Sequence, residues 1–462
     1  MKLAKSTWLM RLAVLVTASF FLLLTATGCK QDPQKQRLNW NLKTLVGAYK
    51  QAGYTSPKWD EPAKRALTAF ASLRSKQPGA GPWEQIIAAN CDLAVRAGCK
   101  DPMIEYLHVR FPLTPADSPK AYADAICQAA LHMKESDYPA IRKFYANRRA
   151  VQEFYNAYGS KADRSIIEQV GGTAFFLPAI LNDHTIPVEE AYDVCDETLE
   201  AYGGMKDVRE YEAIYEQMEK PLVDRWPKSH LPWLIKGAAH IKMAWICRGG
   251  GYANTVTEEG WKGFENHLEV AQQALDHAWK INQQDINIPL KMMRVELGQG
   301  QGRERMELWF KRAMTIDTNS YDACYAKLDY LEPKWHGSDE DLLAFGRQCV
   351  QTKDWGGRVP LIMLDAHEAI RSYLEGEAKT NYWKQPDVWL DIQAAFDRFF
   401  ELNPNATGWY HNNALYAYLC ERWDKLNELL PKLEPVNYSF FGGEDEFDKM
   451  VQLAKEHAGK PK

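Results

Sequence analysis

The sequence predicts an all-α protein, and three observations support this. Helix-forming residues, chiefly Ala, Leu, Glu, Lys, Gln and Met, fill the periodic segments, whereas alternating runs of β-branched residues are nearly absent. Apolar residues recur at helical spacing between turn-forming clusters, as from Trp40 to Tyr49. A 35-residue repeat lies between about Glu258 and Val350. We therefore predict an all-α fold, a degenerate TPR-like (tetratricopeptide-like) helical-hairpin solenoid.

The repeat is defined by matching residues at the ends of two predicted helices. The first set is Leu275, Ala278, Ile281 and Asn282, and its counterparts 35 positions later are Phe310, Ala313, Ile316 and Asp317. This period is close to the 34 residues of a tetratricopeptide unit. Phe399 and Asn403 continue part of the pattern, but Phe345 lacks matching neighbours, so the array is degenerate. A chance match over four positions is the alternative interpretation.

Two polar residues predict helix starts in this region. Thr257 precedes Glu258 and Glu259, and Ser338 precedes a run of three acidic residues. A hydroxyl at the cap position accepts a backbone N–H bond, and carboxylates in the first turn interact favourably with the helix dipole. We predict that each residue caps the second helix of a hairpin.

The N-terminus has the pattern of a lipoprotein export signal. Three basic residues precede the apolar run Leu12–Leu24, whose 13 residues are fewer than the ~20 that a membrane-spanning helix needs. Small residues then lead to Cys29, where we predict cleavage after Gly28 and attachment of lipid to the cysteine. An uncleaved N-terminal anchor is the alternative, and it too would leave the chain attached to a membrane.

The residue after the cysteine bears on localisation. In the bacterial lipoproteins that this N-terminus resembles, an aspartate at that position favours retention in the inner membrane, whereas this chain has Lys30. The resemblance therefore implies a lipoprotein of the bacterial cell envelope delivered to the outer membrane. No later segment approaches 20 apolar residues, so we expect a soluble body tethered through Cys29.

Composition argues against one class of partner. The full chain has a formal net charge of −5, and the export signal contributes basic residues only, so the mature chain is more acidic still. Runs of basic residues are absent, which argues against nucleic acid as a partner.

Eight cysteines remain besides Cys29, namely Cys91, Cys99, Cys127, Cys195, Cys247, Cys324, Cys349 and Cys420. Outside the cytoplasm they could form up to four disulfides. The alternative is that they are free, because most lie in helical patterns, where a cysteine packs as a small apolar residue. The chain has no Cys-x-x-Cys, which excludes thioredoxin-like, zinc-ribbon and c-type haem sites.

We divide the chain into five segments on these patterns. They are a lipoprotein signal peptide (1–28), a lipidated tether (29–38), an N-terminal helical region (39–225), TPR-like repeats (226–355) and a C-terminal helical region (356–462). The tether is assigned because Lys30–Arg37 is polar and charged, and helical patterns start near Asn39.

Two loop motifs resemble those of a known family. The first runs from Trp245 to Val256 and contains Arg248-Gly-Gly-Gly-Tyr252, and the second is Pro333-Lys-Trp-His-Gly-Ser338. Together with Gly98–Pro102, they resemble an uncharacterised bacterial domain-of-unknown-function family with TPR-like helices, over roughly residues 90–350. The resemblance implies a fold, but it brings no known activity and no catalytic residue.

The same two loops supply the candidate ligand-binding residues, which are Arg248, Tyr252, Asn254, Lys334, Trp335 and His336. Glycines allow positive φ and close backbone approach, and an arginine beside a phenol can bind an anion or a sugar ring. If adjacent hairpins stack, both loops reach one edge of the solenoid. The alternative is that the glycines only allow the loop to fold back while Trp261 and Trp335 close the ends of the core.

Motifs for catalysis, metals and cofactors are missing from the sequence. His367-Glu368 lacks the second histidine of a zinc-protease helix, and we interpret Glu105-x-x-His108 as a surface pair. Phosphate-binding loops, dinucleotide fingerprints and nucleophile elbows are also absent. We therefore predict no enzyme activity, no metal and no cofactor. An enzyme whose groups come from distant elements, such as a glycosidase-like carboxylate pair, is the alternative.

The function favoured by the sequence is binding of a protein or peptide partner at the cell envelope, because solenoids of helix pairs expose long concave grooves. A glycan or small-anion binding module that uses Arg248, Tyr252, Trp335 and His336 is the alternative.

Overall fold

A computed structural model describes residues 32–52, 54–75, 81–159, 165 and 172–457. Within these ranges helices are the only regular secondary structure, so the predicted all-α fold is confirmed. None of the helices in this part of the chain has the length and apolar character needed to cross a bilayer. The export signal and Cys29 lie outside the described residues, and their assignment stays a prediction.

The described chain forms two compact units. Unit 1 contains the residues up to Gly204 together with Ala213–Pro227, and unit 2 contains Met205–Glu212 and the residues from Lys228 onward. Helix α10 (Val208–Arg225) therefore belongs to unit 2 in its first turn and to unit 1 from Ala213.

Unit 1 is built from short helices joined in hairpins. In chain order they are α1 (Pro33–Leu42), α2 (Ala48–Gln51), α3 (Asp60–Arg74), α4 (Trp83–Arg96), α5 (Pro102–Arg110), α6 (Pro119–Glu135), α7 (Ala140–Tyr158), α8 (Leu177–Leu181) and α9 (Val188–Ala201). The most extensive packing joins α6 to α7 and α3 to α4. Asp101 caps α5 and Ser118 caps α6, each by accepting backbone N–H groups of the first turn.

Unit 2 continues the same construction. Its helices are α11 (Leu231–Arg248), α12 (Glu258–Ile281), α13 (Asn287–Gln299), α14 (Arg303–Ile316), α15 (Tyr321–Tyr330), α16 (Asp339–Gln351), α17 (Ile362–Ser372), α18 (Gly376–Asn381), α19 (Pro386–Leu402), α20 (Tyr410–Leu419), α21 (Trp423–Leu429) and α22 (Glu444–His457). Helices α11 and α12 form the largest hairpin, and α13–α14 and α16–α17 pair in the same way.

The 35-residue repeat corresponds to a repeated local structure. Helices α12 and α14 end at equivalent positions, and Asn282 and Asp317 follow them in the same extended conformation. The backbone N–H groups of these residues donate to the carbonyls of Ala278 and Ala313, at 2.9 and 3.0 Å. Both alanines are fully buried, as expected for the small position at a close helix approach. Helical hairpins are thus confirmed, while a true tetratricopeptide arrangement stays a prediction.

Both predicted caps form, but only one of the two capped helices packs on the helix that precedes it, as predicted. The hydroxyl of Thr257 accepts from Gly260 N at 3.0 Å, and that of Ser338 accepts from Asp341 N at 3.2 Å. Helix α12 packs on the preceding α11, as predicted. Helix α16 instead packs mainly on the following α17. The assignment of Ser338 to the second helix of a hairpin is therefore wrong.

The predicted tether is also corrected, because helix α1 begins at Pro33 rather than near Asn39. The carboxylate of Asp32 accepts from Gln34 N at 3.0 Å, and proline suits the first helical position. Arg37, inside the predicted tether, is buried and forms a 2.8 Å ion pair with Glu190. Residues 33–38 are thus part of a helix of unit 1.

All eight cysteines of the described chain are free thiols. Seven are buried and Cys247 is half-buried. The interpretation of these residues as small apolar core residues is the one that the structure supports.

Candidate functional site

The two candidate loops meet in unit 2. The ring centroids of Trp245, near the end of α11, and Trp335 lie 5.5 Å apart in an edge-to-face contact. Between the loops lies a cavity of about 830 Å³, here called the loop pocket. It is lined by Trp245, Arg248, Gly249, Gly250, Gly251, Tyr252, Ala253, Lys334 and Trp335. Four of the six candidate residues therefore line one cavity, although about 80 positions separate the two loops in the sequence.

The shape of the first loop depends on the end of helix α11. Gly249 follows the last helical residue with φ +72°, a conformation that residues with a Cβ rarely adopt. The chain then turns through Ala253–Thr255 and enters α12 at its Thr257 cap. This turn brings the glycines along one side of the loop pocket.

Arg248 organises the loop pocket. Its Nη1 donates to the carbonyls of Gly249 and Gly251, at 3.2 and 3.1 Å. Its guanidinium carbon lies 5.4 to 5.7 Å from the ring centroids of Trp245, Trp261 and Trp335. A cation at this distance interacts with an aromatic ring. Arg248 thus holds its own loop closed and joins both loops.

Two tryptophans of the pocket lining have unpaired indole N–H groups. Nε1 of Trp245 and Nε1 of Trp335 are buried and have no hydrogen-bond partner among the described residues. The ring of Trp245 also faces Arg294, whose guanidinium carbon lies 4.5 Å from the ring centroid. Buried donors usually have an acceptor, so these two groups suit a ligand with carbonyl, carboxylate or hydroxyl oxygens.

Tyr252 and Lys334 lie at the outer side of the pocket. Tyr252 is 86 % exposed, the largest exposure among the exposed large apolar and aromatic side chains of the described chain. Lys334 forms a 2.9 Å ion pair with Glu332, which partly neutralises its charge. Asn254 is exposed but lies outside the lining.

His336 has a different position from the one expected. Its Nε2 lies 2.8 Å from the carbonyl oxygen of Leu297, and its ring lies 4.4 Å from that of Tyr330. A Cβ at Gly300 would come within 3.1 Å of the imidazole, so the histidine packs closely against the end of α13. His336 positions its loop and is not part of the pocket lining.

Two buried carboxylates of the described chain have raised pKa values, and each is bonded to a tyrosine. No group of three or more His, Cys, Asp or Glu residues in this part could hold a metal ion. Burial raises the pKa of Asp101 and of Asp365 to about 6, but Asp101 is a helix cap bonded by Tyr138, and Asp365 is bonded by Tyr321.

Glu105 and His108, which the sequence predicted as a surface pair, each form an ion contact with another residue. Glu105 lies 3.3 Å from His132, and His108 lies 3.8 Å from Asp92. Each of the two residues therefore contacts a residue of a neighbouring helix.

Two further cavities were not predicted from the sequence. One, of about 700 Å³, includes Trp383, Tyr418 and Trp423 in its lining and a 2.8 Å ion pair between Lys384 and Glu421. The other lies in unit 1 and is lined mainly by arginines. Their residues are dispersed along the chain, and abundant aromatic residues or arginines were the only signal in the sequence.

Comparison with known proteins gives no identification. The chain matches no protein-family model and no curated protein.

Proposed function

We propose that this protein binds an extended peptide segment of a partner protein in the loop pocket, and that lipid on Cys29 attaches it to the bacterial cell envelope. The observation that carries the proposal is the meeting of two distant loops around one cavity with an aromatic wall. A cavity of about 830 Å³ is of the size that accommodates a ligand.

The chemistry of the loop pocket favours a peptide. The buried indole N–H groups of Trp245 and Trp335 match the carbonyl oxygens that recur along a peptide backbone. The exposed ring of Tyr252 offers a surface for an apolar side chain. Tryptophan, tyrosine and arginine are the residues that most often dominate the binding energy of protein interfaces.

The partner can be tested by capture from solubilised envelopes. We expect the full-length protein to recover a specific protein, and Trp335→Ala or Tyr252→Ala to weaken its binding by about 2 kcal/mol or more, roughly 30-fold. Tyr325→Ala is the matched control, because Tyr325 is 52 % exposed in unit 2 and lies outside the pocket lining. Recovery of the same proteins by an unrelated lipoprotein, or equal binding by all variants, would contradict the proposal.

Attachment to the envelope rests on the sequence from Leu24 to Cys29. Cells grown with labelled fatty acid should incorporate the label into the wild-type protein and not into Cys29→Ser. Cys247→Ser is the control, because Cys247 is the most accessible of the other cysteines. Label that persists in Cys29→Ser would contradict lipid attachment at this residue.

A glycan is the second candidate ligand, and the aromatic lining of the same pocket favours it. The faces of Tyr252 and Trp335 could contact sugar rings, and Arg248 could contact hydroxyl or acidic groups. Titration of tryptophan fluorescence with cell-wall glycan fragments separates the two candidates. Saturable quenching that Trp335→Ala abolishes would favour a glycan as the ligand. Unchanged emission at millimolar glycan concentration would favour a peptide instead.

A further inference from the structure

Four arginines of unit 1 surround one small cavity, here called the arginine pocket. Its volume is about 240 Å³, and its lining is Arg74, Arg110, Arg148, Arg149, Tyr145, Gln152 and Glu197. The arginines come from the ends of α3 and α5 and from the middle of α7. The lining itself holds four arginines and one carboxylate, that of Glu197, while Glu200 and Glu153 pair with Arg148 and Arg149 at 3.5 and 3.1 Å.

Aromatic and polar neighbours hold these arginines in position. The guanidinium carbon of Arg74 lies 3.7 Å from the ring centroid of Tyr145, in a stacked arrangement. Arg110 Nη1 is 3.3 Å from the hydroxyl of Tyr106, and Arg148 Nη1 donates to Gln152 at 3.0 Å. The geometry of the pocket is therefore built before any ligand enters it, which lowers the entropic cost of binding.

Several donors of the pocket remain unused. Nε and Nη2 of Arg74, Nε of Arg148 and Nε of Arg149 are buried and have no hydrogen-bond acceptor among the described residues. The nearest carboxylates to Arg74, those of Asp193 and Glu197, are 3.9 Å away, beyond hydrogen-bond distance. A buried charged donor without an acceptor is costly, so the arrangement is suited to an anion.

We propose that the arginine pocket binds the phosphate group of a small phosphomonoester. Arginine is the preferred partner of phosphate because its planar fork donates two parallel hydrogen bonds. A phosphate presents three oxygens in different directions, and the pocket offers arginines from three helices. A cavity of about 240 Å³ holds a phosphate with a small substituent and is below the usual size for larger ligands. This site lies in unit 1, whereas the loop pocket lies in unit 2.

The test is isothermal titration calorimetry of the full-length protein, solubilised with detergent in a buffer that contains no phosphate. The probes are inorganic phosphate and glycerol 3-phosphate, and we expect saturable binding of at least one. Arg148→Gln and Arg149→Gln should each weaken it by about tenfold or more, the usual effect of losing a charge-assisted hydrogen bond. Arg65→Gln is the control, because Arg65 forms an exposed ion pair with Glu61 across one helical turn, as Arg149 does with Glu153.

A fourth variant distinguishes binding from a purely structural role. Glu197→Gln removes the negative charge that competes with the anion, so we expect phosphate to bind more tightly although an ion contact of Arg74 is lost. Arg149 is 42 % exposed, so its replacement is compatible with folding, which circular dichroism can confirm.

Three results would overturn the proposal. They are the absence of saturable phosphate binding, equal weakening by Arg65→Gln, and weaker binding by Glu197→Gln.

A second experiment, with lipid vesicles, identifies the source of the phosphate group. Binding to phosphatidic acid in phosphatidylcholine vesicles, competed by glycerol 3-phosphate, indicates a lipid headgroup, whereas binding of glycerol 3-phosphate without vesicle binding indicates a soluble ligand.

Discussion

Glu190 is a fully buried carboxylate that arginines keep ionised. It accepts from Arg37 Nε at 2.8 Å in the interior of unit 1. Burial by itself would raise the pKa of Glu190, but the charges of Arg37, Arg74 and Arg142 act in the opposite direction, and the pKa lies below its ordinary value. The carboxylate therefore neutralises arginines that could not otherwise be buried.

We predict that Glu190→Gln lowers the free energy of unfolding by about 3–5 kcal/mol, because Arg37 and Arg142 lose the charge that balances them. Urea denaturation of the full-length protein measures this change. Glu61→Gln should change it by less than about 0.5 kcal/mol, because Glu61 is largely exposed and its ion pair is screened by water. An equally small effect at Glu190 would show that the ion pairs contribute little.

Asp101 is a second buried carboxylate, and its pKa moves in the other direction. Burial raises the pKa to about 6, although the backbone N–H groups of Met103 and Ile104 and the hydroxyl of Tyr138 partly oppose this. In the unfolded chain Asp101 ionises near pH 4. Between these two values the folded protein binds more protons than the unfolded chain, so the contribution of Asp101 to stability increases as the pH falls from 6 to 4.

We predict that the stability of the wild type relative to Asp101→Asn is greater at pH 4.5 than at pH 7, by about 1–3 kcal/mol, because asparagine does not titrate. Urea denaturation at both pH values gives the comparison. Asp60→Asn should show almost no change between these two pH values, because hydrogen bonding from Lys64 lowers the pKa of Asp60, so its stabilisation is lost only below about pH 4. A pH-independent difference for Asp101→Asn would refute the proposed titration.

At the scale of helices, close packing within the α11–α12 hairpin depends on a glycine. A Cβ built on Gly237 of α11 would lie 2.5 Å from Cγ of Leu275. Leu275 is fully buried and is the first residue of the repeated set in α12. The large residue of the repeat therefore packs directly on the backbone of the neighbouring helix.

We predict that Gly237→Ala destabilises the protein by about 1–3 kcal/mol, because Leu275 has no space to move away. Gly47→Ala is the control, since a Cβ there meets only Lys43 Cγ at 3.9 Å, and it should be neutral or slightly stabilising. Thermal or urea unfolding followed by circular dichroism measures both. A stable Gly237→Ala variant would mean that the two helices are not in close contact.

At the scale of the whole molecule, the free cysteines contribute to the cores of both units. Four belong to each unit, and Cys247 alone among the described cysteines is not fully buried. Burial raises the pKa of Cys99 and that of Cys127 to about 11, so little reactive thiolate is present at neutral pH. The folded protein should therefore resist thiol reagents at nearly all of these positions.

We predict that in Cys29→Ser a thiol reagent labels one cysteine of the native protein and eight after denaturation without reductant, as mass spectrometry would record. Adding Cys247→Ser should remove the native label. Fewer than eight labels after denaturation would indicate disulfides and would contradict the free-thiol structure.

Local features of the chain were predictable. The helical class, the caps at Thr257 and Ser338 and the equivalent helix ends at Asn282 and Asp317 follow from patterns within a few residues. They could be predicted because capping and helical periodicity depend on neighbours along the chain. The glycine and aromatic content of the two loops also identified them as candidates, whereas their contact with each other is seen only in the structure.

Contacts between distant segments required the tertiary structure. The pairing of Arg37 with Glu190 joins residues 153 positions apart, and the arginine pocket gathers side chains from three helices. The position of His336 against Leu297, rather than in the loop pocket, was decided in the same way. Periodicity determines which face of a helix is apolar, but the packing of helices on one another determines which side chains meet there.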